Sequence, residues 1–144
     1  MREKIYQYKL SMKVRDYECD LQGVVNNANY QHYLEHARHE FLIAAGFNFK
    51  QLHDQGIDAM VARVEIDYKK FLTSGDEFDV CITVSRETFR LIFQQDIYRT
   101  ADKALRVSAK VYTVCVHNGR LARQLPEMDQ LIANAEKLPP ISIS

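Results

Sequence analysis

The sequence predicts an α+β chain: a mostly antiparallel sheet of five strands with one long helix laid across one face. Three observations carry this reading. A strict apolar alternation runs near the N-terminus. It gives way at once to helical spacing over one long segment. A series of alternating segments then follows, separated by hairpin-length turns.

The elements can be justified in order. Tyr6, Tyr8, Leu10, Met12 and Val14 alternate with Gln7, Lys9, Ser11, Lys13 and Arg15, a period of two that marks a strand with one buried face. Tyr30, Tyr33, Leu34, Ala37, Phe41 and Ala45 form one apolar stripe, so a helix is expected from about Asn29 to Ala45, stopped by Gly46. Val61 to Tyr68 alternates, with Val64, Ile66 and Tyr68 on one side, and Ser74-Gly75-Asp76 turns the chain. Phe78, Val80, Ile82 and Val84 mark the next strand. Phe89 to Arg99 and Ala104 to His117 follow, joined by Ala101-Asp102-Lys103 and closed by Asn118-Gly119. Pro126 suits the first position of a closing helix with Leu131, Ile132, Ala135 and Leu138 as its stripe. The tail after Pro139 is expected to be loose.

Composition bounds the function. At 144 residues the chain is expected to be one domain, 1–144, with a substantial core. Nineteen basic residues balance nineteen acidic ones, which points away from nucleic acid and from an anionic membrane surface. No apolar run approaches a membrane span, and the charged, alternating N-terminus is unlike a signal peptide. Cys19, Cys81 and Cys115 are odd in number and widely spaced, neither a disulfide framework nor a zinc pattern; they read as reduced thiols in a cytoplasmic protein. The open edges of a five-stranded sheet favour a dimer that continues the sheet.

Arg15 to Tyr30 carries the chemistry. Asp20 precedes a glycine turn, a short apolar step and an asparagine cluster, and the long helix starts at once. A carboxylate beside a helix N-terminus can attack an electrophile or activate a water. The free N–H groups of the helix start can hold a developing oxyanion. That pairing suggests acyl transfer.

Asp20, Gly23-Val24-Val25, Asn27, Asn29-Tyr30, Tyr33 and Glu35-His36-Ala37-Arg38, with the weaker Glu65-Ile66-Asp67-Tyr68 and Gly75-Asp76, resemble the hotdog-fold acyl-CoA thioesterases of the 4-hydroxybenzoyl-CoA type. The resemblance runs from about Ile5 to Ala133. It implies a curved sheet wrapped around the long helix and a homodimer, often paired into a homotetramer, with active sites at subunit interfaces. It also implies hydrolysis of an acyl-CoA thioester, without metal or bound cofactor. Two positions depart from the family pattern: Asn27 stands where His or Tyr is common, and Phe71 where the family usually has Pro. A role for the Asn27 backbone survives the first departure, since every non-proline residue has an N–H.

On this reading Asp20 is the catalytic nucleophile or general base, and the Asn27 N–H polarises the carbonyl. Gly23, Val24, Val25 and Tyr30 line the substrate. Spacing alone favours Asp20 as a turn-forming aspartate; the motif match reverses that choice. Asn26, Asn27 and Asn29 also suit a capping cluster, a role compatible with oxyanion binding. Glu35, a little over two turns after Asn27, matches the catalytic carboxylate of another hotdog branch, and a supporting role is preferred for it here. His32, His36 and His39 include a metal-ligand spacing, but no completing acidic motif; they read as a solvated or interface face. Cys19 is rejected as a nucleophile because Glu18 and Asp20 flank it. Two rivals remain. A hotdog-fold dehydratase or hydratase needs a His that the Asp20–Tyr30 loop lacks. A non-catalytic acyl-thioester binding protein would need no Asp20. Acyl-CoA and acyl-carrier protein are both open as the thiol carrier.

Overall fold

A computed structural model describes residues 4–143. Five strands form the main sheet: β2 (Tyr8–Lys13), β3 (Ile57–Tyr68), β4 (Glu77–Glu87), β5 (Arg90–Arg99) and β6 (Leu105–His117). Their order is β2-β4-β5-β6-β3, and every neighbouring pair is antiparallel. The long helix α1 (Asn27–Ala44) lies against the inner face. Its buried residues are Tyr30, Tyr33, Leu34, Ala37 and Phe41; with Ala45, buried at the C-cap, they make the apolar stripe expected from the sequence. They meet Phe78, Val80, Ile82 and Val84 of β4, with Leu91, Phe93 and Ile97 of β5 and Val107, Ala109 and Val111 of β6. Helix α3 (Pro126–Glu136) adds Met128, Leu131 and Ala135 to this core.

Several elements differ from expectation. The predicted first strand divides at Gln7. The Gln7 side chain accepts a hydrogen bond from the Val84 N–H, replacing a ladder bond, and β1 (Lys4–Tyr6) leaves the main sheet. The tail is not loose. Ile141–Ile143 forms β8, paired antiparallel with β1 across the outer face of the sheet. This small ribbon covers Tyr6, Cys81 and Tyr98, a second cluster that also packs Ile141 and Ile143. β3 begins at Ile57, four residues earlier than Val61, because a bulge between Val61 and Arg63 breaks its alternation. Helix α2 (Phe49–Asp54), capped by the Asn48 side chain on the Gln51 N–H, is too short to show a period. β7 (Arg120–Ala122) returns from the Asn118-Gly119 turn onto β6. Both turn residues have positive φ, 51° and 80°, as such a tight hairpin requires.

Candidate active site

The segment between β2 and α1 is organised around Glu18. It is a buried carboxylate on a three-residue 3-10 turn, Asp16–Glu18. The Arg15 N–H donates to its Oε1 at 2.8 Å, the Tyr33 hydroxyl to the same oxygen at 2.9 Å, and the Arg15 guanidinium to Oε2 at 3.0 Å. Burial pushes the Glu18 carboxyl up, but these donors outweigh it and hold it below the usual carboxylate range. The Glu18 carbonyl accepts from the Asn26 N–H at 3.0 Å and from the Asn29 side-chain amide at 2.8 Å. The side chain thus fixes the loop to the middle of α1, and the main chain fixes it to the helix start.

Asp20 sits two residues further on and is exposed. Its N–H donates to the Val24 carbonyl at 2.9 Å, its carbonyl accepts from Gly23 N–H at 3.0 Å, and its Oδ1 accepts from Gln22 N–H at 2.9 Å. Gly23 closes this turn at φ 80°, a conformation that disfavours a side chain. Val24 and Val25 then pair against Thr73 and Cys19, and the Val25 N–H donates to the Leu72 carbonyl at 2.8 Å. Val25 is buried, Val24 half-buried and Gly23 exposed.

At the helix start, the Asn26 side chain caps the Ala28 N–H at 3.0 Å. Asn27 is the first helical residue, so its N–H has no intrahelical acceptor. Among the described residues it makes no other hydrogen bond. Tyr30 is fully buried, and its hydroxyl accepts from the Leu72 N–H at 2.9 Å. Asp20 and the Asn27 N–H therefore belong to one braced loop. Glu35 does not join them: it lies about 12 Å further along the helix axis, is exposed, and makes no hydrogen bond or ion pair among the described residues. His32, His36 and His39 are exposed, with His39 against the Phe49 ring. Burial first, then the Asp16, Asp20 and Glu18 carboxylates, push the Cys19 thiol up, so it is a poor nucleophile.

A cavity of about 350 Å³ opens beside α1, between its Glu35–Leu42 stretch, α2, the start of β3, and α3. Its walls are mostly apolar. Arg38 also lines it, donating one hydrogen bond to Gln95 Oε1 at 3.0 Å, while Gln95 donates to the Leu34 carbonyl at 2.9 Å. Burial holds the Arg38 guanidinium below its usual range, partly opposed by Glu35. The sequence motif named Arg38 without showing this setting. Glu18, Gln95 and Arg106 were also missed as organising residues. Arg106, buried on β6, holds the Phe71 carbonyl with its side chain and the Lys69 N–H with its backbone, bracing the segment that meets Val25 and Tyr30. Each gave the signal of an isolated polar residue within a strand or loop, and nothing local distinguishes that from a solvated one.

Residues 14–135 match the family profile described as the thioesterase-like superfamily. The chain belongs to that superfamily. The thioesterase-like chain is 34% identical over 112 residues to the acyl-acyl carrier protein thioesterase ATL3, chloroplastic, of Arabidopsis thaliana; the match covers 77% of this chain and 59% of the plant protein. A second Arabidopsis thaliana relative, ATL2, is 32% identical over 83% of this chain and 64% of its own length. The chain thus spans about three-fifths of these two relatives. A structure of a hypothetical protein from Aquifex aeolicus superposes with a TM-score of 0.80 at 27% identity, covering 87% of this chain and 98% of that one. A 1,4-dihydroxy-2-naphthoyl-CoA thioesterase from Synechocystis also gives 0.80, at 16% identity, covering 90% and 96%. The fold is the hotdog fold, a curled antiparallel sheet around a central helix. No helix among the described residues is long and apolar enough to cross a membrane.

Proposed function

We propose that this chain hydrolyses an acyl thioester to the free acid and a thiol. The carrying observation is the braced loop that holds the Asp20 carboxylate and the free Asn27 N–H at one end of α1. The thioester carbonyl oxygen would lie at the Asn27 N–H, at the positive end of the helix dipole. Gly23, Val24 and Val25 would pass beside the substrate, with Tyr30 supporting them from the core. Asp20 would attack the carbonyl carbon and form a mixed anhydride that water then cleaves, or it would take a proton from a water that attacks directly. Either route expels the thiolate, which leaves protonated as free thiol. No step uses a metal or a bound cofactor.

The carrier is CoA or acyl-carrier protein. Relatives are named for both: the plant proteins for the carrier protein, and a putative acyl-CoA thioesterase of Bacillus subtilis, 28% identical over 109 residues, for CoA. A homodimer or homotetramer in the cytoplasm belongs to the same proposal. β3 supports the assembly, because this edge strand exposes Met60, Val61 and Tyr68.

The test is thiol release from a panel of short, long and aromatic acyl-CoAs and from acyl-carrier protein. The panel compares wild type with Asp20→Asn and Glu35→Gln. Asn keeps an oxygen for the Gln22 N–H but cannot act as nucleophile or base. Asp20→Asn should therefore lower kcat by roughly 10²-fold or more, with little change in Tm, and Glu35→Gln should be milder. Near-native turnover by Asp20→Asn beside an inactive Glu35→Gln would move the chemistry to the helix carboxylate. An absence of turnover on every substrate would leave a binding protein.

A further inference from the structure

The cavity beside α1 is set apart from Asp20, yet one side of the helix joins the two. Asn27, Gln31, Glu35, Arg38 and Leu42 follow at spacings of four, four, three and four residues, so they share one face of α1. Arg38 lies eleven residues after Asn27, about 16 Å along the axis. A group anchored by its carbonyl at the helix start can run down this face into the cavity.

Glu35, Arg38, His39, His53, Asp58, Thr113 and Glu127 are the polar or charged side chains that line the cavity. The side chains of Glu35, His39 and Glu127 make no hydrogen bond among the described residues, and Thr113 and the His53–Asp58 pair are already engaged. Thr113 donates its hydroxyl to the Leu91 carbonyl, and His53 pairs with Asp58 at 2.8 Å. Arg38 differs. Its guanidinium has five N–H donors, and one hydrogen bond, to Gln95, occupies it. Among the described residues no ion pair to Arg38 forms. Gln95 is fully buried and tied to the Leu34 carbonyl, so it holds the guanidinium in a fixed orientation. The other walls present Leu42, Phe47, Phe49, Leu52, Phe93 and Leu131. Glu35, Asp58 and Glu127 also line the cavity, so a ligand carrying a negative charge would meet like charges there. A neutral oxygen acceptor at the end of an apolar body fits these walls.

We propose that this cavity takes the acyl group of the thioester and that Arg38 reads a neutral acceptor oxygen, a hydroxyl or carbonyl, at its far end. This rests on the thioester reading above and makes Arg38 a specificity-determining residue. Matched non-hydrolysable ligands separate the two ideas. S-alkyl-CoA thioethers ending in methyl, hydroxyl or carboxylate, in a series of chain lengths, are titrated by calorimetry. The corresponding thioesters are assayed for thiol release. At the best length the hydroxyl-ended ligand should bind about tenfold tighter than the methyl-ended one, and the carboxylate should bind no better than the hydroxyl. Arg38→Met, similar in length but without donors, should abolish the preference; Arg38→Lys should keep part of it. Thermal melts establish that each variant is folded. If Arg38→Met does not fold, the wild-type ratio and its reduction in Arg38→Lys decide the matter. A wild type with no hydroxyl preference at any length overturns the proposal, as does an unchanged preference in folded Arg38→Met. Arg38-dependent binding without turnover would uphold this inference while removing the hydrolase reading. Turnover without the preference would do the reverse.

Discussion

Replacing Glu18 with Ala tests how the loop is held. The side chain is buried and receives the Tyr33 hydroxyl and the Arg15 N–H on one oxygen. Tyr33 is itself buried and its hydroxyl makes no other hydrogen bond among the described residues. Truncating Glu18 therefore leaves a buried hydroxyl unpaired, a cost of about 2 kcal/mol. For a chain of this size that is a fall in Tm of roughly 4–8 °C. Tyr33→Phe removes the hydroxyl but keeps the ring against Phe78. In a double-mutant cycle measured by urea unfolding, Glu18→Ala and Tyr33→Phe should couple by about 1.5–3 kcal/mol, the range for a hydrogen bond to a charged group. The pH dependence has a definite sign. The folded carboxyl is held below its ordinary range, so its contribution is fully present above about pH 4.3 and disappears as pH falls through the lower folded value. The gap between wild type and Glu18→Ala should therefore narrow only in acid. Asp20 is two residues away, so a loosened loop should also lower kcat by roughly tenfold. Strictly additive single and double variants at neutral pH would refute this account of the loop.

Three further outcomes are expected. Asn27→Ala should keep kcat within a few-fold and Tm within about 1–2 °C, because Asn26 makes the cap; a hundredfold loss of kcat in a folded variant would show that the Asn27 side chain takes part. Tyr6→Phe removes a donor from the buried Asp96 carboxylate, which keeps the Ser108 hydroxyl and the Gln94 amide; Tm should fall by roughly 5 °C with thiol release unchanged, and an unchanged melt would mean that this network does not secure the β1–β8 cover. Sedimentation should give a dimer or dimer of dimers, and Val61→Lys on the exposed β3 edge should produce monomers with little activity; a stable, fully active monomer would remove the interface from the proposed site.

What could be read from the sequence follows from the range of the forces involved. The α1 stripe and the β4 alternation are local periodicities that burial on a single face imposes, and all six expected stripe residues are buried, five within the helix and Ala45 at its C-cap. β3 was read short because one unpaired residue at its bulge reverses the phase of the alternation. β8 was missed because three residues carry no period, and their stability comes from pairing with residues 4–6 at the far end of the chain. The candidate site divides in the same way. Asp20, Gly23 and the asparagine cluster lie close together in the chain, across one loop and the first turn of α1, so their proximity was legible. The Glu18–Tyr33 and Arg38–Gln95 contacts span 15 and 57 residues, and only the fold brings them together.

The exposure of Asp20 has a consequence for the proposed chemistry. A carboxylate in open water is strongly solvated, and a single N–H facing water stabilises an oxyanion weakly. On the proposed reading the loop in a single chain therefore holds its carboxylate and its oxyanion donor in the wrong dielectric. Tyr68 and Phe71 stack beside the helix start, each at least 40% exposed, and the Tyr68 hydroxyl reaches the Asn27 carbonyl. Leu21 stands fully exposed next to Asp20. Apolar groups gathered around a polar site are what a covering surface would need. Their position, continuous with the open β3 edge, suits the second copy of this chain that the proposed assembly would bring as a cover. On the proposed reading Asp20 would be the nucleophile or general base and the Asn27 N–H the oxyanion donor, and assembly would supply the dry surroundings in which they become effective.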